Sequence, residues 1–258
     1  MSTRIRFLGV AAYEILGPQH RILVDPFLWQ AGSVRPEDLE PPDVILVSHA
    51  ASDHYGDAAA IAKRTGAPVV CGADVRLMLI DAGVPPEQIR ATVWGLLVEV
   101  KPGLLVRPVE CHHWSVGQLG DGTMVTGTPL AFIVEPEPGI RIYHYGDTAI
   151  FDMSLIGRLY RPTVGIFGCT DPVELSEEDV AAGRILTGEM SPDEAALAAD
   201  MLGVDVAIAA HYLQPNEDTD AFLRHIHDGD ARRQALAPAV GDVLTVEVRN
   251  DRVVVSSY

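Results

Sequence analysis

The residues best suited to chemistry lie between Ser48 and His54, where the chain reads Ser-His-Ala-Ala-Ser-Asp-His. The apolar residues 44–47 come directly before this segment and predict a buried strand that ends there. One imidazole and an Asp-His pair therefore follow the strand end. Imidazole and carboxylate groups without thiolate suit zinc, manganese or iron. The pattern indicates a metal site.

Further imidazole and carboxylate side chains follow other predicted strands, at residues 104–111, 140–145 and 206–210. Strand ends on one edge of a sheet converge in space, and α/β proteins place ligands and catalysts there. We therefore expect a single site, with His54 and His211 less than about 10 Å apart. The candidate metal ligands are His49, Asp53, His54, His113, Asp147 and His211.

Two adjacent histidines, His112 and His113, compete for one place in this site. Neighbouring side chains of a strand point to opposite faces, so only one of them should face the metal. We predict that His113 faces the metal, because Trp114 follows it. His112 would then be exposed to solvent or would contact a metal ligand without binding the metal itself. A local bulge that turned His112 inward would add a further nitrogen. His144 lies inside a predicted strand and is expected to be structural.

The composition favours a globular protein. The 258 residues are 48% hydrophobic, and we expect one domain spanning residues 1–258. The net charge of −17 disfavours nucleic acid and anionic membranes as partners. No apolar run approaches the roughly 18 residues of a membrane span, and the three cysteines form no paired pattern. We therefore expect a cytoplasmic protein.

The order of predicted elements favours two β-sheets packed face to face with helices outside. Strands alternate with helices in each half of the chain, and antiparallel pairs are predicted at the start and in the middle. The predicted strands include residues 12–16, 21–24, 69–71 and 92–100. The strongest helix start is Ser191-Pro192-Asp193-Glu194, which has a capping residue, an early proline and two acids. The predicted helices cover residues 57–65, 73–82 and 191–202.

Five motifs in this order resemble the metallo-β-lactamase superfamily. They are Leu-Val-Asp-Pro-Phe at 23–27, the 48–54 segment, His-Trp-Ser at 113–115, Tyr-His-Tyr-Gly-Asp-Thr at 143–148 and Ala-His-Tyr at 210–212. The chain is most similar to the ascorbate phosphate lactonase-like hydrolases and to the N-acyl phosphatidylethanolamine phospholipase D branch. The resemblance implies an α/β fold, the four-layer αβ/βα metallo-β-lactamase sandwich.

The resemblance also implies how the ligands divide. His49 and His113 would belong to a first metal site, Asp53, His54 and His211 to a second, and Asp147 would bridge the two. The superfamily signature H-x-H-x-D-H has its second histidine at position 51, where this chain has alanine. We therefore predict one tightly held divalent ion per chain, zinc or manganese with iron as an alternative, in the second site.

The function implied is a metal-dependent hydrolase that uses a metal-bound hydroxide to open a small-molecule lactone or cyclic amide. Asp53 or Asp147 would accept and return the proton. The alternatives are a phosphodiester hydrolase and a member that binds metal or ligand without catalysis. Relatives of the lactonase type often form oligomers, and the sequence is compatible with a homo-oligomer. Side chains expected to shape the substrate pocket are Tyr55, Trp114, Glu189, Tyr212 and Trp29.

Overall fold

The chain forms seventeen strands and six α-helices among the residues that the computed structural model describes, which are 2–28, 32, 34–170 and 189–257. The strands are β1 (Thr3–Gly9), β2 (Ala12–Leu16), β3 (Arg21–Val24), β4 (Val44–Leu46), β5 (Val69–Cys71), β6 (Ile89–Ala91), β7 (Val98–Lys101), β8 (Leu104–Val109), β9 (Val116–Gln118), β10 (Met124–Thr126), β11 (Ala131–Glu137), β12 (Ile140–His144), β13 (Val164–Gly168), β14 (Val206–Ala210), β15 (Gln234–Leu236), β16 (Val243–Arg249) and β17 (Arg252–Ser257). The helices are α1 (Ser52–Tyr55), α2 (Ala58–Thr65), α3 (Ala73–Asp81), α4 (Ser154–Tyr160), α5 (Pro192–Leu202) and α6 (Glu217–Gly229), with 3-10 turns at Pro36–Asp38 and Pro86–Gln88.

Two large sheets and one small hairpin organise these strands. The first sheet has the order β17-β16-β1-β2-β3-β4-β5-β6, and the second has the order β15-β14-β13-β12-β11-β8-β7. Among the described residues, strands β9 and β10 pair only with each other. Strands β4, β12 and β14 precede the candidate ligands, and each of them has a parallel neighbour in its sheet. Their carboxyl ends therefore lie at the same edge of each sheet.

Alternation of side chains along the strands of the first sheet explains the layers. Ile22 and Val24 of β3 enter the core between the two sheets, whereas Leu23 between them enters a separate core under the helices. Ile45 of β4 joins Leu23 on that outer side. Because successive strand residues face opposite ways, a strand with apolar residues at every position must be covered on both faces.

Helices supply those covers. Ile61 of α2 and Leu79 of α3 pack in the core outside the first sheet, and Ala195 of α5 and Phe222 of α6 pack against the second sheet. The arrangement confirms the predicted four-layer αβ/βα sandwich. Helix α5 starts as predicted, with a capping box at Ser191. Across the described ranges, no helix combines the length and apolar character needed to span a membrane.

The middle of the chain departs from the sequence prediction. A strand was expected over 92–100, but residues 93–97 form an exposed connection between β6 and β7. Gly95 lies within this connection and has a φ of 82°, which a strand does not have. Strand β8 ends at Val109 rather than at residue 111, so His112 and His113 do not lie on a strand. The β9–β10 hairpin and α4 were not predicted because each strand has only three residues and α4 has seven.

Candidate metal centre

Four of the predicted ligands converge in one group, which we call the second metal site: Asp53, His54, Asp147 and His211. Each offers a ligand atom, and these atoms all lie within 4.8 Å of one another. All four residues are buried. The His54 and His211 ring centroids are 5.8 Å apart, well inside the expected limit. Atoms that bind one ion at about 2 Å must lie this close together.

A smaller group, the first metal site, contains His49, His113 and the shared Asp147. The His49 and His113 ring centroids are 4.8 Å apart, and His49 Nε2 lies 3.8 Å from Asp147 Oδ2. Ala51 stands at the N-cap of α1, where its methyl group supplies no ligand atom. The first metal site therefore has two imidazoles and one shared carboxylate.

His112 points away from both metal sites. Its Nε2 lies 2.8 Å from Glu110 Oε1, and its ring stacks on Phe151 at 4.3 Å between centroids. The imidazole is 45% exposed. The structure therefore brings His113, and not His112, to the candidate centre. The structure has no inward-turning bulge at His112, so this imidazole does not replace the missing nitrogen.

The donor set fits a divalent cation. Two buried atoms of these residues, His49 Nε2 and Asp147 Oδ1, make no hydrogen bond with any described residue. Leaving such buried polar atoms without a partner costs free energy. A cation bound among them would satisfy both atoms with the nitrogen and oxygen ligands that zinc, manganese and iron accept.

Two further carboxylates orient the histidines of the second metal site. His54 Nδ1 lies 2.8 Å from Asp25 Oδ2, and His211 Nδ1 lies 2.8 Å from Glu189 Oε1. Asp25 is itself fixed, since its Oδ1 accepts a hydrogen bond from the Ser48 backbone N–H at 2.7 Å. A carboxylate on Nδ1 directs Nε2 of the same ring toward the metal. Asp25 was absent from the predicted ligands, although it follows β3 at the same sheet edge.

The backbone at the sheet edge is unusual at three of these residues. Asp25, Asp147 and His211 have φ values of 42°, 65° and 68°, in the left-handed region that residues with a Cβ seldom adopt. Gly146 precedes Asp147 with a φ of 60°, and a Cβ there would lie 2.2 Å from the Leu130 carbonyl oxygen. Strain of this kind clusters at functional sites, where the surrounding structure enforces it.

The charges of the centre divide the histidines into two kinds. Burial lowers the pKa of His54, but the carboxylates of Asp147 and Asp53 outweigh it, and the pKa is raised well above the usual value. The same balance, with Glu189 and Asp147 as the carboxylates, raises the pKa of His211. In contrast, burial and the neighbouring His54 lower the pKa of His49 to about 3.

The carboxylates respond in opposite directions. Burial opposes the charged form of Asp147, yet His54 and His211 overcome it and hold its pKa well below the usual range. Glu189 has less compensation, so burial and the nearby Asp147 raise the pKa of Glu189 to about 8. The centre thus keeps its bridging carboxylate ionised at neutral pH.

The predicted pocket residues occupy different surroundings. Trp114 stacks on His113 at 4.4 Å between ring centroids and is 41% exposed, so it lies at the rim of the first metal site. Tyr55 is half-buried against the core under the helices. Trp29 lies outside the described residues. Tyr212 is buried, and its hydroxyl donates to the Pro238 carbonyl oxygen at 2.8 Å, so its place in the substrate pocket stays a prediction.

Two further side chains, His144 and Cys111, are buried close to the candidate ligands. His144 is buried, and its Nε2 lies 3.0 Å from the Ala11 carbonyl oxygen, as expected for a structural histidine. The Cys111 thiol, two positions before His113, is buried and donates to the Gly146 carbonyl at 3.0 Å. Both side chains support the loops that carry the candidate ligands.

The chain is similar to known metal-dependent hydrolases. The model of the β-lactamase superfamily domain matches residues 20–212. A UPF0173 metal-dependent hydrolase of Rubrobacter xylanophilus is 37% identical over 216 residues, which are 81% of this chain and 81% of the relative. Another, from Methanopyrus kandleri, is 36% identical over 231 residues, or 87% of this chain and 92% of the relative.

Solved structures show the same fold. Igni18, a metallo hydrolase from the archaeon Ignicoccus hospitalis, superposes with a TM-score of 0.75 at 23% identity and covers 96% of this chain and 100% of its own. An isothiocyanate hydrolase from Delia radicum gut bacteria has a TM-score of 0.64 at 16% identity, with 93% and 97% coverage. Because the superfamily model matches residues 20–212, the chain belongs to the metallo-β-lactamase superfamily. Within it, the chain is a member of the UPF0173 metal-dependent hydrolases.

Proposed function

We propose that this protein opens the ring of a small neutral lactone or cyclic amide by metal-dependent hydrolysis. The observation that carries the proposal is the convergence of Asp53, His54, Asp147 and His211 within 4.8 Å at a buried sheet edge. A divalent ion bound there would lower the pKa of a bound water and polarise a carbonyl oxygen.

The protein's own residues supply orientation and proton transfer. Asp25 and Glu189 hold His54 and His211 with their Nε2 atoms toward the centre. His54 and His211 hold the pKa of Asp147 well below its usual range, so this carboxylate is ionised and can act as a base. Asp53, which lies 3.2 Å from His211 and also has a lowered pKa, is the second candidate base.

Charge favours a neutral substrate over a phosphodiester. Among the described residues, the centre holds three buried carboxylates with lowered pKa values, on Asp25, Asp53 and Asp147, whereas the pKa of Glu189 is raised to about 8. Its imidazoles become neutral when they bind a metal, so one divalent ion leaves an excess of negative charge near the reacting group. An anionic phosphodiester would be repelled by that excess, whereas a lactone or cyclic amide carries no charge. The net charge of −17 acts in the same direction at long range.

The test is a panel of lactones, cyclic amides and phosphodiesters assayed with the parent protein and with Asp53→Ala and His211→Ala. We expect ring opening by the parent and a loss of at least about 100-fold in both variants. His225→Ala, in α6 and outside both metal sites, is the control and should retain the parent rate. Hydrolysis of phosphodiesters alone would reject the proposed substrate class, and full activity in His211→Ala would reject the metal site itself.

A further inference from the structure

We propose that Asp74 and Ser115 are positioning residues for the first metal site and that they set its affinity for metal. The inference rests on the proposed function, because it assumes that His49 and His113 are metal ligands. Neither Asp74 nor Ser115 touches the candidate ion position. They act on the two loops that carry the imidazoles.

The contact joins three separate segments through a single hydroxyl. Ser115 Oγ donates a hydrogen bond to Asp74 Oδ2 and accepts one from the Ala50 backbone N–H at 3.0 Å. Ala50 directly follows His49, and Ser115 lies two residues after His113. Asp74 belongs to the first turn of α3. The Ser115 hydroxyl therefore fixes the His49 loop and the His113 loop to the same helix end.

The surroundings of Asp74 are built tightly around its carboxylate. A Cβ at Gly127 would lie 2.2 Å from Asp74 Oδ1, and a Cβ at Gly72 would lie 2.8 Å from the same oxygen. Asp74 is 1% exposed and Ser115 is 3% exposed. Both glycines therefore leave room for the carboxylate that a larger residue would fill. The Gly127 N–H also donates to the Ser115 carbonyl oxygen at 3.2 Å, which holds the residue from its other side.

The energetic cost of Asp74 points to positioning rather than to stability. A buried carboxylate is expensive to desolvate, and an apolar pair of similar volume usually stabilises a fold at least as well. The first turn of a helix offsets part of that cost through its positive end. What the carboxylate adds is direction, because it fixes the Ser115 hydroxyl so that its lone pairs face the Ala50 N–H.

The first metal site depends on the fixed positions of its two histidines more than the second metal site does. The second metal site has carboxylates on the Nδ1 atoms of both its histidines. His49 Nδ1 instead lies 2.9 Å from the Ser48 hydroxyl, which is a neutral partner, and Ala51 supplies no third nitrogen. With only two imidazoles, the separation of His49 and His113 decides whether one ion can bind both. The Asp74–Ser115 contact fixes that separation.

The experiment titrates the metal-free protein with Co²⁺ alone and follows its visible absorption and bound stoichiometry. His113→Ala identifies which binding step belongs to the first metal site. We expect Ser115→Ala to weaken that step about 10- to 100-fold and to leave the second site's step unchanged. Asp74→Asn, which keeps an acceptor for the Ser115 hydroxyl, should lose less affinity than Ser115→Ala. Unfolding of the metal-free variants is measured in parallel.

The matched control is Thr3→Ala at the far end of the first sheet. Thr3 is also fully buried, and its hydroxyl donates to the Glu137 carboxylate at 2.7 Å. It should lose stability on the scale of Ser115→Ala but retain both binding steps. An unchanged first step in Ser115→Ala, or equal weakening of both steps, would overturn the positioning role. A parent that binds only the second-site ion at any Co²⁺ concentration would also overturn it, while leaving the proposed function intact.

Discussion

At position 51 a methyl group replaces the third imidazole of the first metal site, whereas the second metal site keeps Asp53, His54, Asp147 and His211. Losing a direct ligand costs more affinity than losing an orienting partner, which already weakens binding about 10- to 100-fold. We therefore predict one tightly bound ion per chain, in the second metal site. Elemental analysis of protein purified without added metal measures this number.

The converse variant is Ala51→His, which restores the missing nitrogen. We expect it to retain a second ion through dialysis against a weak chelator, because three imidazoles and Asp147 then surround the first position. His112→Ala is the control, since His112 faces Glu110 and Phe151 and should not affect the count. Two chelator-resistant ions in the unaltered protein would contradict the prediction.

The candidate ligands could be predicted from the sequence, but their supports could not. His49, Asp147 and His211 each follow an apolar strand, and that local pattern is visible without a structure. The contacts between His54 and Asp25 and between Ser115 and Asp74 join residues 29 and 41 positions apart. Such contacts depend on how sheets and helices pack, which no local pattern records.

At the level of elements, strands and helices with strong local signals were predicted well. Strands β2, β3, β5 and β14 have the predicted bounds because turns or glycines limit them on both sides. The exposed connection at 93–97 misled the prediction, since its apolar composition is typical of a strand. Its residues face solvent, and only the tertiary structure determines that exposure.

Helix α5 offers a prediction at this scale. Its capping box satisfies two N–H groups, because the Ser191 side chain accepts from the backbone of Glu194 while Glu194 Oε2 accepts from the Ser191 N–H at 3.0 Å. Ser191→Ala should reduce the free energy of unfolding by about 1 kcal/mol. Urea denaturation of the metal-free protein measures the change.

The matched control for this helix is Glu194→Gln. A glutamine side chain also accepts the hydrogen bond in a capping box, so the free energy of unfolding should change much less than in Ser191→Ala. A larger loss in Glu194→Gln would mean that the charge at the helix end, rather than the hydrogen bond, stabilises α5.

For the whole molecule, metal binding and folding are linked through the protons of the second metal site. In the metal-free protein, carboxylates raise the pKa values of His54 and His211 above their usual range. Their protonated forms stabilise the fold fully below the unfolded pKa of about 6.5, and this stability is lost as pH rises through the raised values. Metal binding requires neutral imidazoles and displaces those protons. The ion therefore stabilises the protein more as pH rises.

We predict that the increase in Tm caused by Zn²⁺ or Mn²⁺ is larger at about pH 8 than at about pH 6, because displacing the imidazole protons costs less free energy at the higher pH. His49 does not contribute to this dependence, since its pKa of about 3 keeps it neutral throughout the range. Thermal unfolding with and without metal at both pH values measures the difference. His211→Ala should reduce the pH dependence, whereas His225→Ala should preserve it. An increase in Tm that is equal at the two pH values, or larger at the lower one, would contradict the linkage.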